Sequence, residues 1–193
     1  MSIASHYVKT DRQGAVAPAG VRTQRVNSAA EQADWLRHMK RIYLPQANID
    51  FRIASAQNID SNGVQAPDVD VGAGSNDGDV IIQGRGGVDQ TAKFRVFFVG
   101  QIGSATQDTI AVVLKPGQPD CLCQDGLRML NAQTLEPVTT DPLKIAQVLA
   151  HEAGHSFNED HDSSGPDLLM DEVAKNGERI PIEVAKRMND FLK

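Results

Sequence analysis

The chain has 193 residues, of which 40% are hydrophobic and 23% are charged, a balance typical of a globular protein with one sizeable core. The formal net charge of −6 argues against a protein that binds nucleic acids or anionic membranes, because those partners require a basic surface. No apolar run in the sequence reaches the roughly 20 residues that a membrane-spanning helix needs.

The first 20 residues are polar and irregular, and we expect a tail or a loosely held first strand there. Residues 21–193 are predicted to form a single domain. The opening segment, MSIASHYVKTDRQG, contains no apolar stretch of the kind found in a signal peptide. We expect secretion or export by a route without a visible signal peptide, with a cytoplasmic location as the alternative, and we expect a monomer.

The first clear element is a helix that begins after a capping box. In Ser-Ala-Ala-Glu (28–31), the Ser28 side chain can accept a hydrogen bond from the Glu31 backbone, and Glu31 can reach back. Apolar residues at helical spacing then form one stripe: Trp35, Leu36, Met39, Ile42 and Tyr43. Pro45 is predicted to end this helix. Residues 48–56 alternate between apolar and polar side chains, which predicts a half-buried strand.

Residues 58–90 are rich in Gly, Asp and Asn and form a longer loop than compact domains ordinarily contain. Within it, residues 79–83 (DVIIQ) are predicted to form a short strand. Four aspartates crowd the 68–79 part of the loop: Asp68, Asp70, Asp77 and Asp79. Their carboxylates near glycine turns make a candidate Ca²⁺ site, although the spacing is not that of an EF-hand. The alternative is a solvated loop in which Asp and Gly serve turn geometry.

Apolar segments rich in β-branched and aromatic residues predict further strands at 94–100 (FRVFFVG) and 109–115 (TIAVVLK). Residues 121–123 (CLC) predict a short third strand. We expect Cys121 and Cys123 to be small, partly buried residues on one face of that strand, with a vicinal-type bridge or metal binding as alternatives.

The second half of the chain contains two predicted helices. Asp141 is a good N-cap and Pro142 suits a first helical turn, so a helix is expected over 142–157, and the last helix is expected from Pro181. The order of elements is helix, strand, long loop, strands, helix and helix. This order predicts an α/β sandwich with a mixed sheet.

The stretch HEAGHSFNEDH (151–161) contains three histidines and a glutamate. His151 and His155 are four residues apart and therefore lie on one helix face. The opposite face is apolar and is expected to contact the sheet: Ala146, Leu149, Ala153 and Phe157. Glu152 lies only part-way round the helix, where its carboxylate could reach a water on a metal ion. Two imidazoles that bind zinc beside a carboxylate general base are the chemistry of H-E-x-x-H.

A zinc ion that keeps one open position needs a third protein ligand. His161 lies beyond the reach of a straight helix, so the helix must end and the chain must turn back. Asn158 is located where that turn has to occur, and asparagine tolerates a left-handed backbone well. The sequence therefore predicts that Asn158 ends the helix and brings His161 to the metal.

The stretch resembles the metzincin zinc-metallopeptidase signature, H-E-x-x-H-x-x-G-x-x-H, with Asn158 in place of the glycine. The signature residues match one for one: His151, Glu152, His155 and His161. Met170 resembles the methionine of the turn that lies beneath the zinc in this clan. The short sequence separation between His161 and Met170 is similar to that of the matrix-metalloprotease type. Asp162, the residue after the third histidine, is similar to the adamalysin-type pattern. The resemblance therefore indicates the clan and no subfamily.

The resemblance implies a mixed, mostly parallel, twisted sheet with an antiparallel edge strand, a zinc-binding active-site helix and a C-terminal helix. It implies a zinc endopeptidase that acts on protein or peptide substrates, with one catalytic Zn²⁺ and Glu152 as the general base. Met170 would form a structural floor under the ligands. An extended substrate would pair with an edge strand, for which we select Ile110, Ala111 and Val112.

Two alternatives remain open. A gluzincin-like zinc peptidase would take its third ligand from a downstream glutamate: Glu172, Glu178 or Glu183. A non-catalytic, zinc-stabilised binding module would need a fourth protein ligand to close the site, and the intact Glu152 argues against it.

Overall fold

The structure is a computed structural model, and it describes residues 1–9, 29–60, 69–72, 74–84, 90–99, 102, 111–124, 142–165, 167–171 and 177–193. The elements in chain order are β1 (Ser2–Lys9), α1 (Ala29–Ala47), β2 (Arg52–Asp60), α2 (Asp77–Gly84), β3 (Phe94–Val99), β4 (Ala111–Val113), β5 (Asp120–Gln124), α3 (Pro142–Ser156) and α4 (Ile182–Phe191). Within these residues, no helix combines the length and the apolar character that crossing a membrane requires.

The five strands form one sheet in the order β2-β1-β3-β5-β4. β1 pairs in parallel with both β2 and β3, and β3 pairs in parallel with β5. β4 is an edge strand that pairs with β5 in antiparallel fashion. The mixed, mostly parallel sheet with an antiparallel edge strand is therefore present. Residues 2–9 form a strand inside the sheet rather than a tail, because β2 and β3 flank them on both sides.

Helices cover both faces of this sheet, as the burial of β3 shows. Phe94, Val96 and Phe98 belong to the larger core, which also contains the apolar residues of α1 and α3. Phe97 and Val99 belong to a smaller core on the other face, together with residues of α2. All six residues of β3 are buried, as expected for a parallel strand between two covered faces. α3 packs against α1 and against the β4–β5 edge of the sheet.

The first helix and the strand after it differ from the prediction at their ends. α1 continues through Pro45 to Ala47, and the Asn48 N–H then donates to the Leu44 carbonyl at 3.1 Å. Asn48 has a φ of 54°, so a left-handed residue rather than the proline ends the helix. β2 begins four residues later than predicted, at Arg52. Ser28 lies outside the described residues, so the capping box stays a prediction.

The prediction of a short strand over 79–83 is wrong, because this segment lies in the helix α2. Asp77 and Asp79 occupy its first turn, where negative charge interacts favourably with the helix dipole. Ile81 is fully buried in the smaller core. A short apolar run does not distinguish a strand from a buried helix by periodicity alone, whereas acidic residues in a first turn are typical of a helix.

Candidate metal centre and active site

The helix α3 confirms the element predicted over 142–157 and carries the first part of the site. Its apolar face lies in the larger core, where the side chains are nearly or fully inaccessible: Ala146, Leu149, Ala153 and Phe157. His151 and Glu152 are also buried, whereas His155 is partly buried and His161 is exposed. The histidine group therefore lies at the margin of the core and opens to solvent on the His161 side.

Asn158 ends the helix in the conformation that the sequence predicts, with a φ of 64°. Its N–H donates to the His155 carbonyl at 2.9 Å, and the N–H of Glu159 donates to the Gly154 carbonyl at 3.1 Å. This pair of bonds around a left-handed residue is a Schellman motif. The chain reverses direction there, and the reversal brings His161 back to the two helical histidines.

The three histidines converge on one point. Nε2 of His155 lies 3.1 Å from Nε2 of His151 and 3.1 Å from Nε2 of His161. One ligand atom from each residue lies within 4.8 Å of the others. Two nitrogens bound to a tetrahedral zinc ion are separated by about 3.3 Å, given zinc–nitrogen bonds of about 2.0–2.1 Å. The two 3.1 Å separations thus match ligands that share one small cation, and the third pair lies within 4.8 Å.

Hydrogen bonds to the outer ring nitrogens determine where the protons lie. Nδ1 of His151 donates to the Leu169 carbonyl and Nδ1 of His155 donates to the Glu159 carbonyl, each at 2.7 Å. Because a carbonyl oxygen only accepts, both Nδ1 atoms carry the proton, and the Nε2 atom of each neutral ring presents a lone pair.

Burial keeps these rings neutral. It lowers the pKa of His151 to about 4, and burial is also the main cause that lowers the pKa of His155. At neutral pH the facing Nε2 atoms of His151 and His155 are therefore two acceptors at 3.1 Å without a proton between them. A metal cation resolves this repulsion, and neutral imidazoles oriented by backbone carbonyls are the usual zinc ligands. The donor set therefore fits zinc.

Glu152 directly follows His151 in α3, and its carboxylate is buried. It is 6% exposed, and its Oε2 atom has no hydrogen-bond partner in the described part of the chain. Burial raises its pKa to about 7, and a hydrogen bond from the Val113 backbone opposes the increase. An unpartnered, buried carboxylate oxygen is costly for the fold, so its retention points to a role in chemistry.

Met170 packs against α3, the helix that carries His151 and His155. A Cβ added to Gly154 would lie 2.2 Å from the Met170 Sδ atom, so the thioether packs directly on the backbone of α3 between Ala153 and His155. The Met170 carbonyl accepts from the Asp162 N–H at 2.8 Å, and the neighbouring Leu169 carbonyl orients His151. The segment around Met170 thus contacts the His151 ring and the backbone next to His161.

The described glutamates considered as alternative ligands are used elsewhere. The Glu178 carboxylate accepts from Arg41 at 2.6 Å and from Gln147 at 3.0 Å. Glu183 pairs with Lys186 on the exposed side of α4 at 3.1 Å. Neither belongs to the candidate metal-binding group, which within the described ranges contains only the three histidines. Glu172 lies outside the described residues.

The acidic loop gives no support to a calcium site. Oδ1 of Asp70 accepts from the Gly72 N–H at 2.8 Å, and Oδ2 of Asp77 accepts from the Asp70 N–H at 3.1 Å. Asp79 faces Lys115 at 3.8 Å. These carboxylates serve turn geometry and surface charge pairing, and Asp68 lies outside the described residues.

Cys121 and Cys123 are buried thiols with no disulfide between them. Both lie in the larger core, which confirms that they occupy one face of β5. Burial is the main cause that raises the pKa of the Cys121 thiol well above its ordinary value. Neither cysteine joins the candidate ligands found among the described residues, so the bridge and metal-binding alternatives find no support.

Sequence reasoning missed three contributors to this site. Gly154 is needed for the approach of Met170, and a glycine inside a helical pattern was an available indication. Gly117 donates to the end of α3, and Glu159 is buried and bound by Arg187. The last two depend on contacts between segments that are distant in sequence.

The architecture is a metzincin-like fold: a mixed α/β sheet, a histidine-bearing helix against it and a C-terminal helix. No protein-family model and no curated protein matches the sequence. Among solved structures, the chain resembles archaemetzincin from Methanopyrus kandleri with a TM-score of 0.60 and 9% sequence identity, over 100% of this chain and 95% of that chain. At this identity the likeness establishes the fold, and the chemistry has to be argued from the site.

Proposed function

We propose that the protein is a zinc-dependent endopeptidase that hydrolyses peptide bonds in protein or peptide substrates. The observation that carries the proposal is the position of Glu152. Its unpartnered Oε2 atom lies in a buried side chain, one residue along α3 from the first of three converging histidines. Three histidine ligands would leave one position of a tetrahedral zinc ion open, as catalytic sites require.

A zinc ion bound by His151, His155 and His161 would supply a Lewis acid and lower the pKa of water at the site. Glu152 would remove a proton from the attacking water and transfer it to the leaving amine. Burial raises the pKa of Glu152 to about 7 in the metal-free chain, and a nearby cation would lower it and favour the carboxylate form that a general base needs. Met170 and Asn158 would support the ligands without contacting the substrate.

The edge strand β4 is the proposed binding site for an extended substrate. Among the described residues it has a strand partner on one side only, and Ala111 and Val112 are partly buried along it. The Val113 backbone contacts the Glu152 carboxylate, so the strand that would pair with substrate also holds the proposed base. Strand addition at such an edge places a peptide beside the general base. Ile110 lies outside the described residues.

The test replaces Glu152 by glutamine, which keeps the shape and removes the base. We expect Glu152→Gln to retain zinc and to lose peptide cleavage by about 10²–10⁴-fold, the usual contribution of a general base. Zinc content and cleavage of an unstructured protein are measured on the same preparations. Glu183→Gln, an exposed residue of α4, is the matched control. Unchanged cleavage in Glu152→Gln would overturn the proposal, and loss of zinc would make Glu152 a ligand.

A further inference from the structure

Glu159 stands between the second and third histidines, and each of its polar groups is engaged. Its N–H donates to the Gly154 carbonyl at 3.1 Å, and its carbonyl accepts from Nδ1 of His155 at 2.7 Å. Its carboxylate accepts from Nε of Arg187 at 3.0 and 3.1 Å, with a further short bond from the second guanidinium nitrogen. One residue thus joins the helix end, a metal ligand and the C-terminal helix.

The burial of this carboxylate needs a reason. Glu159 is 5% exposed, and an apolar side chain would fill such a position without the desolvation cost of a charge. The guanidinium of Arg187 compensates the charge in a fork of two or more parallel bonds, which fixes orientation as well as distance. The pair therefore holds the Glu159 backbone in one place, and that backbone holds the His155 ring.

The helix that presents Arg187 is firmly attached. Val184, Ala185 and Met188 of α4 are buried in the larger core. The Asn189 side chain donates to the Ala47 carbonyl at 2.6 Å, which ties α4 to the end of α1. The attached helix α4 thus places Arg187, whose side chain is 61% exposed, beside the turn between the second and third histidines, although Arg187 lies 28 residues from Glu159 in sequence.

We propose that Arg187 is a positioning residue of the metal centre: by binding the Glu159 carboxylate, it orients His155 and the turn that delivers His161. The C-terminal helix is thereby part of the metal site rather than a packing element alone. This inference rests on the proposed function insofar as the three histidines hold a metal ion. It assigns Arg187 no contact with substrate or with the metal.

The first measurement is the zinc dissociation constant of the full chain, obtained by competition with a chromophoric chelator. We expect Arg187→Ala to weaken zinc binding by about 10–100-fold, as loss of groups that orient metal ligands ordinarily does. Arg187→Lys should give an intermediate loss, because an ammonium group cannot reproduce the forked contact. Lys186→Ala is the matched control, since Lys186 neighbours Arg187 on α4 and, among the described residues, pairs with exposed Glu183. The zinc affinity of this variant should stay within twofold of that of the unaltered protein.

A purely structural role would lower the free energy of unfolding of the metal-free protein without changing the centre. Each variant is therefore checked for folding by circular dichroism, and the absorption spectrum of its Co²⁺ form is recorded. A changed spectrum in folded Arg187→Ala supports positioning of the ligands. An unchanged spectrum and an unchanged zinc affinity overturn it. If Arg187→Ala does not fold, the same two readouts on Arg187→Lys decide.

The outcomes separate this inference from the proposed function. If the unaltered protein binds no zinc at the histidines, the proposed function fails and the inference fails with it. If the unaltered protein binds zinc and both Arg187 variants bind it equally well with the same Co²⁺ spectrum, only the inference is overturned. Cleavage by the unaltered protein plays no part in this decision.

Discussion

Gly117 donates its backbone N–H to the carbonyl oxygen of His155 at 2.9 Å. The donor lies in the turn between β4 and β5, and the acceptor lies in the last turn of α3. Gln118 N–H donates to the Lys115 carbonyl at 2.9 Å, and Gly117 has a φ of 75°, as in a type II turn with proline and glycine at its centre. The turn that follows the proposed substrate strand is therefore joined directly to the helix that carries His151 and His155.

The first prediction concerns this joint. In Gly117→Ala, the alanine would have to keep the left-handed backbone conformation of Gly117. Its Cβ would lie 3.2 Å from Oδ1 of Asn158. The left-handed conformation costs a side chain about 1–2 kcal/mol, and the crowding falls on the residue that turns the chain toward His161. We expect the free energy of unfolding in urea to decrease by about that amount and zinc affinity to decrease as well.

Gly74→Ala is the control for backbone strain. Gly74 has a φ of 96°, and no atom lies within 4 Å of an added Cβ, so the alanine there costs stability without touching the site. Its zinc affinity should equal that of the unaltered protein. Equal zinc affinities in both alanine variants would show that strain at Gly117 does not affect metal binding by the histidines.

The second prediction concerns the third ligand. His161→Ala should weaken zinc binding by on the order of 100-fold or more, beyond the loss typical of a group that only orients a ligand. The reason is that Nε2 of His161 lies 3.1 Å from Nε2 of His155, whereas Glu178 and Glu183 are paired elsewhere. Zinc affinity is measured by chelator competition, with His38→Ala on α1 as the control. Retained affinity in His161→Ala would favour a third ligand from a downstream carboxylate.

The parts of this site that could be predicted from sequence are those set by neighbours along the chain. The shared face of His151 and His155 follows from helical spacing, and the left-handed Asn158 follows from the need to reach His161 in a few residues. The helix α3 and the strand β3 were likewise predictable, because long periodic or strongly apolar segments leave few alternatives.

The rest depends on tertiary contacts that local patterns do not encode. The pairing of Glu159 with Arg187 spans 28 positions, and nothing near Glu159 in sequence predicts that a carboxylate there is buried. The position of β1 between β2 and β3 requires strand pairing over long separations. The helix α2 was mistaken for a strand because its apolar run is too short to reveal a period.

The third prediction concerns the contact between Gly154 and Met170. Alanine normally stabilises a helix by about 1 kcal/mol relative to glycine, which alone would make Gly154→Ala favourable. The added Cβ, however, would lie 2.2 Å from the Met170 Sδ atom, and overpacking of a core costs about 1–3 kcal/mol. Met170 is 3% exposed and has little room to move. We therefore expect a net decrease in the free energy of unfolding and weaker zinc binding.

A second substitution isolates the contact. Met170→Ala in the Gly154→Ala background removes the crowding, so the two changes should be clearly non-additive in a double-mutant cycle. Additive effects on the free energy of unfolding, or a more stable Gly154→Ala protein, would show that the thioether moves aside at little cost.

The fourth prediction concerns the buried hydroxyl that joins α1 to the ligand helix. Tyr43 is fully buried and donates its O–H to the Ala150 carbonyl at 2.7 Å. Removal of one buried hydrogen bond in Tyr43→Phe should cost about 1 kcal/mol at pH 7. Burial is the main cause that raises the pKa of Tyr43 well above 10, with a smaller contribution from Glu159. The phenol therefore keeps its proton in the folded state at pH values where the unfolded chain has lost it.

This difference makes the stabilisation by Tyr43 dependent on alkaline pH. The pKa of Tyr43 is higher in the folded state than in the unfolded state. The stabilisation by Tyr43 is therefore complete below the unfolded-state pKa of about 10. Above that pH it declines by up to about 1.4 kcal/mol per pH unit. The free energy of unfolding in urea, measured from pH 7 to 11, should therefore be higher for the unaltered protein than for Tyr43→Phe at neutral pH. The two values should become equal near pH 11. Other groups titrate equally in both proteins, so the difference isolates Tyr43. A difference that stays constant up to pH 11 would mean that Tyr43 ionises alike in the folded and unfolded states.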